Sequence, residues 1–323
     1  MDQTPNIDGV LVQWGDRLFY PGNRIVKVKP QPRLDGGGLR DRAVAIRQRI
    51  EATVVRRATQ VMVKVTGGGR GIQAIAAHFR YISKNGRLDS ENEQGETIRG
   101  KDAVHELADE WRYGGSLIDE VGYRREAFNI MLSMPRGTDP LIVQKAAREF
   151  AQTELTDHKY VMVLHDHQAN PHVHISVRAE SIRGRRLNPR KADLHRWRET
   201  FAEKLRGYGV AAEATRQVAR GQSRSPDALW RLKAGEEGRL KKVRPVNKTG
   251  AQARANRADA LGSWVQIGKA LAGSGNAKDV QLATSIAAFL HDQSATWAPT
   301  KSDRGLARDV PFSAPRVDLM LRR

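Results

Sequence analysis

The sequence predicts an α+β fold built around a mostly antiparallel sheet. Segments of alternating β-branched residues are interspersed with segments whose apolar residues recur at helical spacing. The last two predicted strands, KYVMVLH (159–165) and PHVHISVRA (171–179), are separated by a tight polar link and therefore predict a hairpin. Residues 59–179 are predicted to follow the order β-α-α-β-α-β-β, with the helices on one face of the sheet.

The individual elements follow from local signals. The strand at 60–66 alternates β-branched residues, and the next helix repeats apolar residues every three or four positions. The last helix begins with Asp139 as N-cap and Pro140 in its first turn. The predicted elements are a strand at 60–66, a GGGRG turn at 67–71, a helix at 72–84, a polar loop at 85–100, a helix at 101–115, a strand at 125–135 and a helix at 139–155.

Residues 1–58, which precede this domain, are predicted to form an N-terminal extension. Three of its segments, VLVQW, RLFYP and RIVKVKP, have the composition of short strands. LDGGG (34–38) predicts a flexible break. A basic helix is expected at 40–58.

The chain after about residue 180 becomes strongly basic. The central domain is expected to span 59–210, and 211–323 is expected to be a basic, helical and partly disordered region. Two helices are predicted near 252–272 and 277–292, before a frayed tail that starts at residue 295.

The overall composition narrows the function classes. A net charge of +19, from 55 Lys and Arg against 36 Asp and Glu, points to a polyanionic partner such as nucleic acid. The absence of cysteine excludes disulfides, thiolate metal sites and a cysteine nucleophile. No run of about 18 apolar residues occurs, and the N-terminus lacks a basic segment followed by an apolar one, so we expect no membrane span and no secretory signal.

A cluster of histidines lies on the predicted hairpin. Four of the nine histidines fall within HDHQANPHVH (165–174). His172 and His174 are two residues apart on a strand, so their side chains share one face. If His165 pairs opposite His172, its side chain joins them. Three imidazoles would then converge with positions open to substrate oxygens, which is typical of a catalytic metal site.

Two residues of the link have more than one plausible role. Asp166 and His167 can each supply a fourth ligand, orient another ligand, or accept a proton. Two simpler readings of the cluster stay open: a surface hairpin with titrating histidines, and a metal site without chemistry.

Tyr81 lies on the polar side of the helix at 72–84, far from its apolar arc. A phenol there is a suitable nucleophile, because its attack on phosphorus gives a phosphotyrosyl ester and a free 3′ hydroxyl. The alternative is a tyrosine that packs against another element. His78, one turn earlier, either contacts DNA or is an ordinary polar-face residue. Arg70 and the glycine-rich turn can present positive charge and N–H groups to phosphate.

Two segments resemble motifs of the relaxase/mobilisation nuclease family of the HUH superfamily, in the class that contains the border-nicking relaxase of Agrobacterium Ti plasmids. VKVTGGGRGIQAIAAHFRYISKNG is similar to the first motif, and the resemblance places the nucleophilic tyrosine at Tyr81. FNIMLSMPRGTDP is similar to the second motif, which includes Ser133 and contacts DNA near the scissile site.

A third segment, VMVLHDHQANPHVHISV, is similar to the metal-binding motif and implies His165, His172 and His174 as ligands. Two features depart from the family pattern. Many relatives carry Asp two residues after the first histidine, where this chain has His167 and places its acid at Asp166. In most relatives the tyrosine lies close to the N-terminus, whereas here a 58-residue extension precedes the motif strand.

The resemblance implies an HUH-type central antiparallel sheet with the tyrosine helix beside the histidine strands. It implies nicking of single-stranded DNA at a plasmid or mobile-element origin of transfer, with a covalent 5′ link to Tyr81. Mg²⁺ or Mn²⁺ is the family metal, and three imidazoles also accept Zn²⁺ or Ni²⁺. The residues expected to contact DNA are Arg70, His78, Arg80, Ser133, Arg136, Arg178, Arg183, Arg185 and Arg186.

The expected partners are single-stranded origin DNA, a type IV coupling protein and accessory DNA-binding proteins. The expected location is the bacterial cytoplasm, with export alongside the DNA into a recipient cell. Alternative functions are an HUH replication initiator or transposase, a non-catalytic DNA-binding accessory protein of a transfer complex, and a metallohydrolase of small phosphoesters.

Overall fold

The computed structural model describes residues 6–20, 36–168, 170–222, 229–240, 248 and 250–293. The helices and strands in these ranges are α1 (Ile7–Phe19), α2 (Gly36–Val54), β1 (Thr59–Gln60), β2 (Met62–Gly67), α3 (Ile72–Ile82), β3 (Ser90–Asn92), β4 (Thr97–Ile98), α4 (Lys101–Tyr113), β5 (Ala127–Ser133), α5 (Pro140–Glu154), β6 (Tyr160–His165), β7 (His172–Arg178), α6 (Lys191–Gly207), β8 (Ala212–Glu213), α7 (Leu229–Glu236), α8 (Ala251–Ala272) and α9 (Ala277–Asp292). A short 3₁₀ helix spans Val218–Arg220.

The chain divides into two compact units. One is formed by Arg56–Thr215, and the other combines α1 and α2 with the described residues from Arg216 to Gln293. The domain borders predicted from the sequence, after residues 58 and 210, remain predictions. No helix in the part of the chain that the structure describes is both long and apolar enough to cross a bilayer.

The first unit confirms the predicted α+β class. Its main sheet has the strand order β2-β5-β7-β6-β3-β4, and every neighbouring pair is antiparallel. Strands β1 and β8 form a separate parallel pair. As predicted, Asp139 caps α5, because its carboxylate accepts a hydrogen bond from the Leu141 backbone N–H at 2.8 Å.

Helices cover both faces of the sheet, which corrects the prediction of a single helical layer. Helices α5 and α6 pack on one face, where Val173, Ile175 and Val177 of β7 are fully buried. Helices α3 and α4 cover part of the other face, where Ala127 and Val161 are buried against them. The single-layer prediction was wrong because the second face of β7 is polar in sequence, and polarity alone suggested solvent.

Other local predictions also need correction. The predicted loop at 85–100 contains β3 and β4, since polar residues extend the edge of the sheet beside β6. Gly67 belongs to β2, so the turn is shorter than predicted. The glycines at 36–38 begin α2 and are not a break; Leu34 and Asp35 lie outside the described residues.

The second unit is helical. The segments VLVQW and RLF belong to α1, where Leu11, Leu18 and Phe19 are buried at helical spacing, so the predicted short strands are wrong. RIVKVKP and the predicted tail from residue 295 lie outside the described residues. The predicted helices near 40–58, 252–272 and 277–292 are confirmed as α2, α8 and α9. The core of this unit is centred on Trp264, whose indole N–H donates to the Ala219 carbonyl at 2.8 Å.

Candidate metal centre and nucleophile

The three predicted histidine ligands converge at one end of the sheet. His165 lies directly opposite His172 in the β6–β7 ladder, as predicted, and His174 lies two residues further along the same face. One ring nitrogen from each lies within 4.8 Å of the others. The ring centroids are 4.6–5.0 Å apart, and all three side chains are buried.

Hydrogen bonds orient two of these rings. The Nε2 of His165 donates to the Ile82 carbonyl at 2.7 Å, and the Nδ1 of His172 donates to the Asn170 carbonyl at 2.9 Å. Each ring therefore keeps its other nitrogen as a lone-pair donor. The Nδ1 atoms of His165 and His174 are buried without a hydrogen-bond partner among the described residues. Buried, unpartnered imidazole nitrogens that face one another fit a divalent cation.

Electrostatics favour the neutral, metal-binding form of the rings. Burial lowers the pKa of His174 to about 3, and neighbouring histidines add to the effect. Burial also lowers the pKa of His165, although its bond to the Ile82 carbonyl acts in the opposite direction. A neutral imidazole can ligate a metal without first losing a proton.

Tyr81 stands beside this cluster on α3. Its ring centroid lies 6.5 Å from that of His174 and 6.1 Å from that of His78. The side chain is 69% exposed, so it does not pack against another element. The apolar arc of α3 is buried on the other side of the helix, and Ile82 ties the helix end to His165. The phenol is therefore open to a substrate that approaches the histidines.

His78 is half-buried, and its ring centroid is 6.4 Å from that of His174. Burial lowers the pKa of His78 to about 4, so the ring is neutral near neutral pH. Its Nε2 has no hydrogen-bond partner within the described part of the chain. His78 thus lies beside both Tyr81 and the histidine cluster.

The link between β6 and β7 is exposed to solvent. Asp166 and His167 are both exposed, and the His167 ring lies 5.2 Å from that of His165. The predicted second motif packs against this link. The backbone N–H of Arg136 donates to the Asn170 side chain at 3.0 Å. The buried hydroxyl of Ser133 donates to the Pro171 carbonyl at 3.3 Å. The Ser133 side chain therefore supports the link between β6 and β7.

The predicted DNA-contacting arginines divide between the two ends of the sheet. Arg80 lines an open groove beside Tyr81, and Arg136 is exposed near the link.

At the other end of β7, about 20 Å away along the strand, Arg183 and Arg185 are exposed, and both approach Asp157. Arg70 and Arg186 lie at this far end as well, since their loops contact Ala127 and Glu126. The structure does not bring these four arginines to the histidine cluster.

Arg178 has a structural role. Its side chain is 3% exposed, and its guanidinium donates to the carbonyl oxygens of Trp111, Gly114 and Ser116 at the end of α4. Burial lowers its pKa, but the group stays charged at any physiological pH. The guanidinium is therefore occupied by backbone carbonyls, which corrects its predicted contact with DNA.

We expect Arg178→Met to lower the free energy of unfolding by about 1–3 kcal/mol, because the buried carbonyls lose their donors. Urea denaturation of the whole protein measures this change. Arg183→Met is the matched control, because that side chain is exposed and the stability should stay nearly constant. Equal stability of the two variants would contradict the structural role of Arg178.

Three basic residues near the cluster were missed in the sequence. Lys84 and Arg87 line the groove beside Tyr81 together with Arg80. Lys64 is exposed on the histidine face, because Lys64 pairs with Met131 and Met131 pairs with His174 across the sheet. The alternation of QVMVKVT already separated Lys64 from the valines, so its face was predictable once the strand order was known.

We expect Lys64→Gln to weaken binding of single-stranded DNA a few-fold. Loss of one phosphate contact should also reduce the slope of log affinity against log salt by about 0.7. Fluorescence anisotropy across a salt series measures both quantities. Lys145→Gln is the control, since Lys145 is exposed on α5, which covers the opposite face. An unchanged salt slope for Lys64→Gln would remove this residue from the DNA path.

An antiparallel sheet with three buried imidazoles beside a helix-borne, exposed tyrosine is the arrangement that the resemblance to HUH-type nucleases implied. Comparison with known families agrees. Residues 81–210 match the relaxase family model described as the MobA/VirD2-like nuclease domain.

Two curated proteins are also similar to this chain, at 25% identity. The T-DNA border endonuclease VirD2 of Agrobacterium fabrum (strain C58) is 25% identical over 205 residues, which cover 57% of this chain and 46% of that protein. The T-DNA border endonuclease VirD2 of Rhizobium radiobacter is 25% identical over 187 residues, 52% of this chain and 44% of that protein. The chain spans less than half the length of these relatives.

Proposed function

We propose that this chain is a conjugative relaxase, which nicks single-stranded DNA at a plasmid or mobile-element origin of transfer. The observation that carries the proposal is the position of Tyr81, exposed and 6.5 Å from the ring of His174 in a buried three-histidine cluster. The name of the relatives, border endonuclease, supports a DNA substrate cut at a defined site.

The reaction we propose is a transesterification. The Tyr81 phenolic oxygen attacks the scissile phosphorus, and a bond forms between them as the bond from phosphorus to the 3′ oxygen breaks. The leaving 3′ oxygen takes up a proton and becomes a free hydroxyl. The 5′ phosphate stays on Tyr81, so the bond energy is kept and the same site can rejoin the ends.

His165, His172 and His174 are the proposed metal ligands. A divalent cation bound there, Mg²⁺ or Mn²⁺ in the family, would polarise the non-bridging phosphoryl oxygens and offset their transition-state charge. The hydrogen bonds to Ile82 and Asn170 would hold the His165 and His172 rings in the ligating orientation.

Asp166 and His167 are the proposed proton acceptors for the Tyr81 hydroxyl. Both are exposed on the link, and the His167 ring is next to that of His165. A base in this place removes the phenolic proton as the bond to phosphorus forms. His78 is a poorer base, since burial lowers its pKa to about 4.

The proposed substrate path uses the basic groove beside Tyr81. Arg80, Lys84 and Arg87 line this groove, and Arg136 is exposed near the link, so the backbone of a single strand would meet positive charge on both sides of the reacting phosphate. We further propose a type IV coupling protein and accessory DNA-binding proteins as partners, with action in the bacterial cytoplasm and transfer with the DNA.

A direct experiment tests the proposal. The intact protein is incubated with Mn²⁺ and 3′-labelled single-stranded oligonucleotides that tile the mobile element encoding it. The expected result is a labelled protein band on a denaturing gel from oligonucleotides of one origin of transfer. A band only with a replication origin or element ends indicates an initiator or transposase. Binding without cleavage indicates an accessory protein, and turnover of small phosphoesters without a labelled band indicates a hydrolase.

A further inference from the structure

A second groove lies away from the histidine cluster. It is near Ala127, at the other end of β5 from Ser133, and the seven-residue strand between them spans about 20 Å. Its side chains come from β2, β5, the glycine-rich turn, the loop before β5 and the start of α6. The lining residues are Val65, Arg70, Tyr123, Arg125, Phe128, Asn188, Pro189 and Leu194.

The floor and the rim of this groove differ in chemistry. Phe128 is 7% exposed and packs with Val65 and Leu194 in the floor, on the α5–α6 face of the sheet. Tyr123 at the rim is 100% exposed. A fully exposed aromatic ring beside an apolar floor contributes nothing to the core, but it offers a face on which a flat ring can stack.

The rim also carries two available positive charges. Arg70 and Arg125 are exposed, and neither guanidinium has a carboxylate partner among the residues the structure describes. The Arg125 guanidinium instead lies 5.1 Å from the centre of the Phe128 ring. The next residue in the chain is different, because Arg124 is paired with Glu126 at 2.8 Å.

The backbone around the groove is closely tied. The Ile72 N–H donates to the Asp119 carbonyl at 2.9 Å, and the Glu126 N–H donates to the Gly69 carbonyl at 2.8 Å. A Cβ on Gly68 would lie 2.2 Å from the Ala127 carbonyl oxygen, so only glycine fits there. These backbone hydrogen bonds connect the turn that bears Arg70 to the loop that bears Tyr123. The two segments therefore form one continuous surface that carries both side chains.

We propose that this groove binds single-stranded nucleic acid as a second site, apart from the nicking centre. One unpaired base would stack on Tyr123 over the apolar floor, and the flanking phosphates would contact Arg70 and Arg125. The inference rests on the proposed function only in taking a single strand as the ligand. A strand that occupies both sites must be long enough to pass from one end of the sheet to the other.

Binding of labelled oligothymidylate to the intact protein tests the proposal by anisotropy. With a strand of about 20 nucleotides, Tyr123→Ala should weaken binding about tenfold, and Arg70→Gln with Arg125→Gln should also weaken it and lower its salt dependence. Matched controls are Tyr113→Ala, a tyrosine that is 66% exposed outside the groove, and Arg124→Gln, whose guanidinium is already paired. Both controls should bind like the parent protein.

The proposal is overturned if the Tyr123→Ala protein binds as tightly as the parent, or if Tyr113→Ala loses as much affinity. It is also overturned if Tyr123→Ala weakens duplex DNA of matched sequence equally, because paired bases are not free to stack. As a second measurement, photocrosslinking with a 5-iododeoxyuridine strand should label the peptide that contains Tyr123; crosslinks confined to other peptides would contradict the site.

These outcomes are independent of the nicking reaction. If the groove variants lose affinity while no oligonucleotide forms a protein adduct, the second site stands and the relaxase proposal fails. If an adduct forms while the groove variants bind normally, the relaxase proposal stands and the second site fails.

Discussion

Tyr81→Phe should abolish the covalent protein–DNA adduct while leaving DNA binding unchanged. The substitution removes only the phenolic oxygen, which is the proposed nucleophile, and loss of a nucleophile lowers the cleavage rate by about 10³-fold or more. The ring is 69% exposed, so the variant should fold as the parent does. Adduct formation is measured with a 3′-labelled origin oligonucleotide on a denaturing gel, and binding is measured by anisotropy without metal.

Tyr113→Phe is the matched control, because Tyr113 is also exposed but lies at the end of α4. It should form the adduct at the parent rate. A protein-linked 5′ end that persists in Tyr81→Phe would assign the nucleophile to another residue. Cleavage that instead releases a free 5′ phosphate from the parent protein would replace transesterification with hydrolysis.

The part of the site that the sequence predicts well depends on local periodicity. Side chains on a strand alternate, so His172 and His174 share one face by spacing alone, and the pairing of His165 with His172, a condition in the sequence argument, is confirmed by the structure. The exposure of Tyr81 likewise follows from its angle to the apolar arc of α3. Both inferences need no knowledge of distant contacts.

The part that the sequence does not predict depends on contacts between distant segments. Strand β7 is buried along its whole length, but only one of its faces is apolar. Nothing local in the sequence shows that α3 and α4 cover the polar face, or that the Ile82 carbonyl accepts a hydrogen bond from His165, 83 residues away. Arg178 is an example. Its place in a basic stretch of the sequence predicts a contact with phosphate, but its guanidinium donates hydrogen bonds to three backbone carbonyls.

The N-terminal helix shows a different limit. The run VLVQW is short and apolar, and such a run fits a buried strand or one side of a helix equally well. The start signal lies just before it, since the Asn6 side chain accepts a hydrogen bond from the Gly9 N–H at 3.1 Å. An N-cap there would have favoured the helix, because asparagine before an apolar segment is a common helix start.

His172→Ala should remove metal-dependent cleavage and greatly weaken metal binding. The variant removes one of the three converging imidazoles and leaves two, so we expect the affinity for the metal to fall by about 10–100-fold or more. Titration with Mn²⁺ by calorimetry measures the affinity for the metal. Thermal unfolding at increasing Mn²⁺ concentrations measures how much the bound metal stabilises the fold. In the parent, Mn²⁺ at about 100 times its dissociation constant should stabilise the fold by about 2.7 kcal/mol, and the variant should lose this gain.

His105→Ala is the matched control, because His105 is exposed on α4 and is not one of the three clustered histidines. It should bind Mn²⁺ and cleave like the parent. The two readouts separate ligation from catalysis: a variant that loses the Mn²⁺-dependent stabilisation together with cleavage has lost a ligand, whereas one that keeps the stabilisation has lost something else. Full cleavage by His172→Ala in excess chelator would contradict the ligand assignment, because the three imidazoles would then be a buried polar cluster without a metal.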